Sequence, residues 1–398
     1  MQYDICVIGG AGHVGLPLAI AFANEDKKVV IYDINQAALQ TIAQGKMPFL
    51  EQGAEEVLHK VISQTLFTSH DAAVISNSKY IVVVIGTPVD EHLNPQFTDM
   101  KRFFEKILPY LRNDQLVILR STVYPGISEK IRRLLREKLP QLEVCFCPER
   151  ILEGKAMEEL YSLPQIVSGF SDRAIAEVSA LFKLLTKEVI VVSPMEAELT
   201  KLFTNSWRYI QFAIANQFYM IAEAYDVDFY KIHHAMTANY PRTKGFPRPG
   251  FAAGPCLFKD TMQIAAFANN NFFLGHSAML VNEGLPNFVV SQLKEIFPDF
   301  WDKRVGILGM AFKAESDDIR ESLSFKLRKI LEVEVKEVIC SDILVQHEGL
   351  VSEQILIERS DVIIIGAPHQ RYKTLDYQGK FVFDIWNLTG KGIRPTSH

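Results

Sequence analysis

At 398 residues the chain exceeds what one ordinary hydrophobic core organises, so two or three domains are expected. Hydrophobic residues make up 48% and charged residues 22%, with a formal net charge of -5. That balance is globular and excludes a general nucleic-acid binder, although a local group of Lys and Arg can still hold an anionic ligand. No apolar run reaches the roughly 18 residues of a membrane span, and a cytoplasmic location is expected.

In chain order, YDICVI (3–8) reads as a strand running into Gly9–Gly10, followed by a helix over 14–23 and a second strand, KVVIYD, ending at Asp33. Apolar runs recur at 80–86, 115–122 and 142–149, with patterned helices between them. This alternation predicts an α/β fold with a doubly wound parallel sheet covered on both faces.

From Met195 the texture changes. About 30 residues follow without Gly or Pro, with apolar positions recurring at three and four. This is a helix of about 45 Å, read as a spine between domains, and its broad apolar surface suggests dimerisation. The segment 239–255, dense in Pro, Gly and Arg, reads as a loop. RVGILGMAF, EVICSDI, DVIIIGAP and FVFDIWN then form a second Rossmann-like unit, with Asp342 placed as Asp33 is in the first.

Gly10-Ala11-Gly12-His13-Val14-Gly15 lies between a strand and a helix. The first glycine permits a tight turn, the second lets the backbone approach a pyrophosphate, and the third allows close helix–sheet packing. The helix N-terminus offers unpaired N–H groups to the phosphates. Asp33 closes the next strand, where a carboxylate accepts from both ribose hydroxyls and repels a 2′-phosphate, so the expected cofactor is NAD.

Of five cysteines, Cys6, Cys145, Cys147 and Cys340 lie in apolar, strand-like runs and read as buried small hydrophobes. Cys256 follows a Gly/Pro/Ala segment and precedes Lys259 and Asp260. A nearby cation favours a thiolate, which suits a nucleophile. By itself the stretch fits equally a buried cysteine beside a solvated Lys–Asp pair. Lys201 and Asn205 share a helix face at i, i+4, with Glu198 one turn earlier; surface decoration is the commoner reading of such a pair. His233–His234 read as surface and core neighbours, no metal site is expected, and His369 and Lys373 lie at the mouth of the second nucleotide fold.

Seven segments then point one way. GAGHVGLPLA, GTPVDEHLNP, STVYPG, CPERILEGKA, EAELTKLFTN, GPCLFKD and LGMAFKAESDDIRES occur in the order and with the spacing of the UDP-glucose/GDP-mannose dehydrogenase family, which the chain resembles from end to end. The resemblance implies an NAD-binding Rossmann domain over 1–193 and a UDP-sugar-binding Rossmann-like domain over 299–398. Between them, 194–298 would hold the helical spine, the dimerisation surface and the cysteine loop.

It further implies a four-electron oxidation of a sugar CH2OH to a carboxylate. Cys256 is then the nucleophile that carries a thiohemiacetal and a thioester, and Lys201 and Asn205 stabilise the oxyanion. Asp260 handles water, while Thr122 and Glu149 order it, Glu149 as a candidate base. Gly10, Gly12, His13, Val14, Gly15, Asp33, Thr87, Thr122, Glu153, Lys259 and Arg320 become cofactor contacts. Glu149, Arg150, Ile151, Leu152, Glu153, Lys201, Asn205, Gly245, Phe246, Pro247, Arg248, Pro249 and Lys313 become contacts to a nucleotide sugar. Arg242 resembles an arginine that reaches the neighbouring subunit's site, implying a homodimer.

Departures from the family pattern are Ala253 in place of a glycine, Pro255, and Phe258 in place of a proline. The run Asn-Tyr-Pro-Arg-Thr (239–243) is more similar to UDP-N-acetylhexosamine dehydrogenases than to UDP-glucose dehydrogenases. Two rivals stay in view: a two-electron β-hydroxyacid dehydrogenase, which needs neither the cysteine nor a third domain, and a non-catalytic NAD-binding protein.

Overall fold

The computed structural model describes residues 3–86, 97–252, 254 and 256–390. Thr87, Ala253 and Pro255 lie outside the described residues. The chain forms two compact units, Met1–Thr204 and Asn205–His398. The boundary between these units falls inside the long helix Pro194–Ala224.

The first unit is built on eight strands: β1 (Tyr3–Ile8), β2 (Val29–Tyr32), β3 (Leu66–Ser69), β4 (Ser78–Val83), β5 (Leu116–Leu119), β6 (Glu143–Phe146), β7 (Gln165–Gly169) and β8 (Val189–Val191). Their order is β3-β2-β1-β4-β5-β6-β7-β8. The first six follow the dinucleotide-binding order, which reverses between β1 and β4. β6 and β7 pair antiparallel, Cys145 opposite Gly169, so the sheet is not wholly parallel as expected.

Both faces are covered, which explains the unbroken apolar strands. Ile5 and Val7 enter one core with Leu16, Ile20 and Phe22, whereas Cys6 and Ile8 enter the other with Phe104 and Ile131. The helix Gly15–Asn24 buries nine residues, Gly15 to Ala23, and is accordingly apolar all round.

The sequence placed Glu198 beside Lys201. Its carboxylate is instead buried against the turn preceding the helix Ile127–Arg136. It accepts from the Gly126 N–H at 2.6 Å, the Ser128 N–H at 2.9 Å and the Ser128 hydroxyl at 2.6 Å. A negative charge on those orphan donors also complements the helix dipole.

In the second unit β9 (Arg304–Leu308), β10 (Glu337–Ser341), β11 (Val362–Ile365) and β12 (Phe381–Phe383) form an all-parallel sheet of order β10-β9-β11-β12. The helix Phe273–Ile296 lays Leu285, Val289 and Leu293 against Val305, Ile307, Val362 and Ile364. Among the described residues, no helix is long and apolar enough to cross a membrane.

Replacing Glu198 by Ala strands three donors at a buried turn and is expected to lower stability by about 3 kcal/mol. Urea unfolding followed by far-ultraviolet circular dichroism measures this, with a smaller loss for Glu198→Gln. A wild-type curve for both variants refutes the capping role.

Candidate active site

The glycine loop sits at the C-terminal ends of β1 and β4, beside the strand-order reversal. The fit there is backbone on backbone. A Cβ at Gly15 would lie 2.6 Å from the Gly10 Cα and 2.8 Å from the Gly9 carbonyl oxygen; one at Gly10 would lie 2.8 Å from the Val7 oxygen. Gly12, in contrast, is exposed and has open space over its α-carbon. The second glycine thus offers the bare backbone face a pyrophosphate needs.

Asp33 accepts from the Ala11 N–H at 3.0 Å and from the Asn35 N–H at 2.9 Å. It is half-buried, so its carboxylate keeps a face toward solvent while holding the loop in register. Asp342 repeats the device, accepting from Met310 N–H at 2.6 Å and Ala311 N–H at 3.0 Å, but with a different outcome. Its other oxygen takes the Leu344 and Val345 N–H groups, His369 lies 3.3 Å away, and the carboxylate is fully buried. The Glu315 N–H donates to the His369 Nδ1, which leaves Nε2 to carry the proton toward Asp342.

Burial alone would raise the Asp342 pKa, but His369 and the backbone donors outweigh it and hold the group at about 2. Because the folded value is depressed, its contribution to stability is present above about pH 4 and lost as pH falls toward 2. No ribose can reach this carboxylate, so the second fold lacks the dinucleotide feature that Asp33 provides to the first.

The segment 149–156 is pinned by three carboxylates. Glu149 accepts from the Arg150 and Ile151 N–H groups at 2.7 and 2.9 Å, and its other oxygen is bound by the Arg120 guanidinium. Glu159 takes the Leu152 N–H at 2.5 Å, and Glu51 takes those of Gly154 and Ala156 at 2.9 and 2.7 Å. Arg120 is itself buried, bonded to Gln165 and the Cys147 carbonyl and stacked on Phe182. A carboxylate with both oxygens engaged in this way is a loop anchor.

Sequence reading missed Arg120, Glu51 and Glu159; a lone arginine ending the apolar strand VILR was the available signal, since a buried charge requires a partner. Glu153, from the same segment, places its carboxylate 3.2 Å from the His13 Nδ1. Two expected cofactor contacts from separate motifs thus meet beside the glycine loop, with the Phe49 ring tilted against the imidazole, centroids 4.0 Å apart. Thr122 is half-buried at the end of β5, where Ser121 ties the turn to the Ile85 carbonyl at 2.6 Å. Lys201 is half-buried on the long helix.

In the second unit Cys256 occupies the N-cap of the helix Leu257–Phe267 and is exposed. The other four cysteines are buried. Burial pushes the thiol pKa of Cys147 to about 12 and of Cys340 to about 11, and those of Cys6 and Cys145 upward as well. Position at a helix N-terminus favours a thiolate. One turn on, the buried Asp260 carboxylate accepts from the Asn205 amide at 2.6 Å and lies 3.8 Å from the Lys259 ammonium. Asn205 and Asp260, distant in sequence, are thus brought together. Gly254, at φ 109, has no room for a Cβ because the Phe312 ring would lie 2.7 Å from it.

Phe246 stacks on Phe218 with centroids 6.0 Å apart, and its carbonyl lies 3.2 Å from the His233 Nε2. His233 thus supports the loop at Phe246. Arg248 sits over Tyr230. Arg242 is exposed and bonds the Tyr240 hydroxyl at 3.0 Å, Arg320 forks onto Asp318, and Lys313 lies over Phe312.

Three family matches span most of the chain: the UDP-glucose/GDP-mannose dehydrogenase family NAD binding domain at residues 3–186, its central domain at 195–283 and its UDP binding domain at 306–391. The UDP-N-acetyl-D-mannosamine dehydrogenase of Pyrococcus horikoshii is 29% identical over 97% of this chain and 92% of its own. A solved structure of the UDP-N-acetylmannosamine dehydrogenase from Pyrococcus horikoshii superposes with a TM-score of 0.91 at 28% identity, over 97% of this chain and 96% of that one. That of a Pyrobaculum islandicum UDP-glucose dehydrogenase gives 0.89 at 25% identity, over 96% and 94%. With the glycine loop and Asp33 suited to NAD, the chain belongs to the UDP-glucose/GDP-mannose dehydrogenase family and is an NAD-dependent nucleotide-sugar dehydrogenase.

Proposed function

We propose that this enzyme oxidises the C6 alcohol of UDP-N-acetyl-D-mannosamine to the carboxylate through a thioester on Cys256. The observation that carries the reading is the single exposed thiol among the described cysteines, capping a helix whose first turn holds Lys259 and the buried Asp260. The sugar is supported by the relatives' names and by the segment 239–243.

Gly10, Gly12, Gly15 and Asp33 would hold NAD, which supplies the hydride acceptor twice per sugar. Cys256 adds through sulfur to the C6 aldehyde left by the first oxidation, forming a carbon–sulfur bond. The hemithioacetal carbon then gives up its hydride, and its hydroxyl loses a proton, leaving a thioester. Water attacks the thioester carbon, the carbon–sulfur bond breaks, and Cys256 regains its proton. The sum is one alcohol, one water and two NAD to one carboxylate, two NADH and three protons.

Asp260, oriented by Asn205, takes the water's proton, and Lys201 steadies the oxyanion. Glu149 and Arg120 fix the segment 149–156 for the sugar. A homodimer is supported by exposed apolar side chains along the long helix, Phe203, Trp207, Ile214, Phe218 and Ile221, and Arg242 would enter the partner's site. Five cysteines without a disulfide are in keeping with the cytoplasm.

Incubation with UDP-N-acetylmannosamine is expected to yield two NADH per uronate, counted by absorbance and mass spectrometry. One NADH per oxidised sugar, or turnover with UDP-glucose alone, overturns the mechanism or the substrate. Cys256→Ser should lower uronate formation by about 10³-fold, and Asp260→Asn by about 10²-fold, with little change in KM for NAD. Iodoacetamide on the native protein should add a single carbamidomethyl group, at Cys256, and abolish turnover; labelling of any buried cysteine at a similar rate argues against the assignment.

A further inference from the structure

Asn216 is completely buried on the long helix, and no step proposed above uses it. Its side chain pairs with the backbone of one residue, Gly250, in both directions. The amide Nδ2 donates to the Gly250 carbonyl at 3.1 Å, and Oδ1 accepts the Gly250 N–H at 2.8 Å. The second Nδ2 hydrogen goes to the Asn282 Oδ1 at 2.9 Å, and Asn282 in turn donates to the Tyr209 carbonyl at 3.0 Å. The chain of donors fixes which way each amide faces, because the Gly250 N–H needs an oxygen.

Gly250 is held from its other side as well. Its φ is 154, and a Cβ there would lie 2.0 Å from the Trp386 ring. That ring is tethered by its indole N–H to the Ile365 and Gly366 carbonyls at 3.1 and 3.2 Å. Gly250 lies between the 245–249 segment and the residues that lead to the thiol, among them Phe251, Ala252 and Gly254. Phe251 and Ala252 are buried, and Gly254 rests on Phe312. Between the exposed thiol and the 245–249 segment, the described backbone is therefore fastened at Gly250 by a side-chain amide and an aromatic ring.

We propose that Asn216 is a positioning residue: with Trp386 it clamps the Gly250 peptide and so sets where the 245–249 loop and the Cys256 thiol stand relative to each other. The proposal rests on the reading of Cys256 as nucleophile. A side-chain amide that replaces a strand neighbour gives the loop a fixed hydrogen-bond register without a strand, and a buried, fully satisfied amide network is rigid. Thiol and sugar must meet within a few tenths of an ångström, and misplacement by about 1 Å costs on the order of 10²-fold in rate.

The test is Asn216→Ala in the full chain. Expected are a kcat lower by on the order of 10- to 100-fold, a raised KM for the nucleotide sugar and an unchanged KM for NAD. Peptide-resolved hydrogen exchange over 246–256 should accelerate about tenfold, and iodoacetamide should react with Cys256 at an altered rate. Exchange at wild-type rates, or faster exchange with kcat, KM and alkylation within about twofold of wild type, overturns the proposal. Should Asn216→Ala not fold, Asn282→Ala removes the outer partner and leaves the Gly250 pair intact; it should shift the same readouts in the same direction by a smaller factor, and wild-type behaviour overturns the proposal equally. If the wild type reduces no NAD with any nucleotide sugar, the functional reading fails, whereas exchange and alkylation still decide the clamp.

Discussion

Buried and half-buried carboxylates that accept backbone N–H groups hold this chain's loops in place. Asp33 fastens the glycine turn, Glu198 the turn before residue 127, Glu149, Glu159 and Glu51 the 149–156 segment, and Asp342 the turn after β9. Bonds to an ionised acceptor are roughly twice as strong as neutral ones, and all of these carboxylates but Glu159, which takes the Leu152 N–H, bind two or more donors that would otherwise be orphaned. The sheets supply a platform, but loop rigidity comes from these charges. Deleting one leaves several N–H groups unsatisfied together, so the damage is local and large.

Much of this was legible in the chain. The glycine turn, Asp33, the unbroken apolar strands and the 31-residue helix follow from spacing and periodicity, and the elements stand within a few residues of the expected places. The short strands β3, β7 and β8 were not. LFTS and VIV lack the length and burial that separate a strand from a loop, and the reversed direction of β7 depends on a connection that no local pattern encodes.

The site divides in the same way. That Cys256 differs from the other four thiols is visible in its neighbours, because they lie in apolar runs and it does not. The partners of Asp260 and Glu149 are not visible. Asn205 lies 55 positions from Asp260, Arg120 lies 29 from Glu149, and pairings at such separations are properties of the fold. The two aspartates at matching positions make the same point: Asp33 and Asp342 look alike in sequence, yet four backbone donors and a histidine close the second one off.

Strand order also governs how the chain can fold as it is made. β1 lies inside the first sheet, with Ile5 paired to Val29 on one side and Tyr80 on the other, and the sheet's last edge waits for Val189–Val191. At synthesis rates of about 5–20 residues per second, on the order of 10 to 40 seconds separate the emergence of β1 from that of β8. Throughout the first part of that interval an apolar strand with no polar face stands unpaired on at least one edge. The first sheet therefore gains its last edge only once Val191 has been made, long after its central strand.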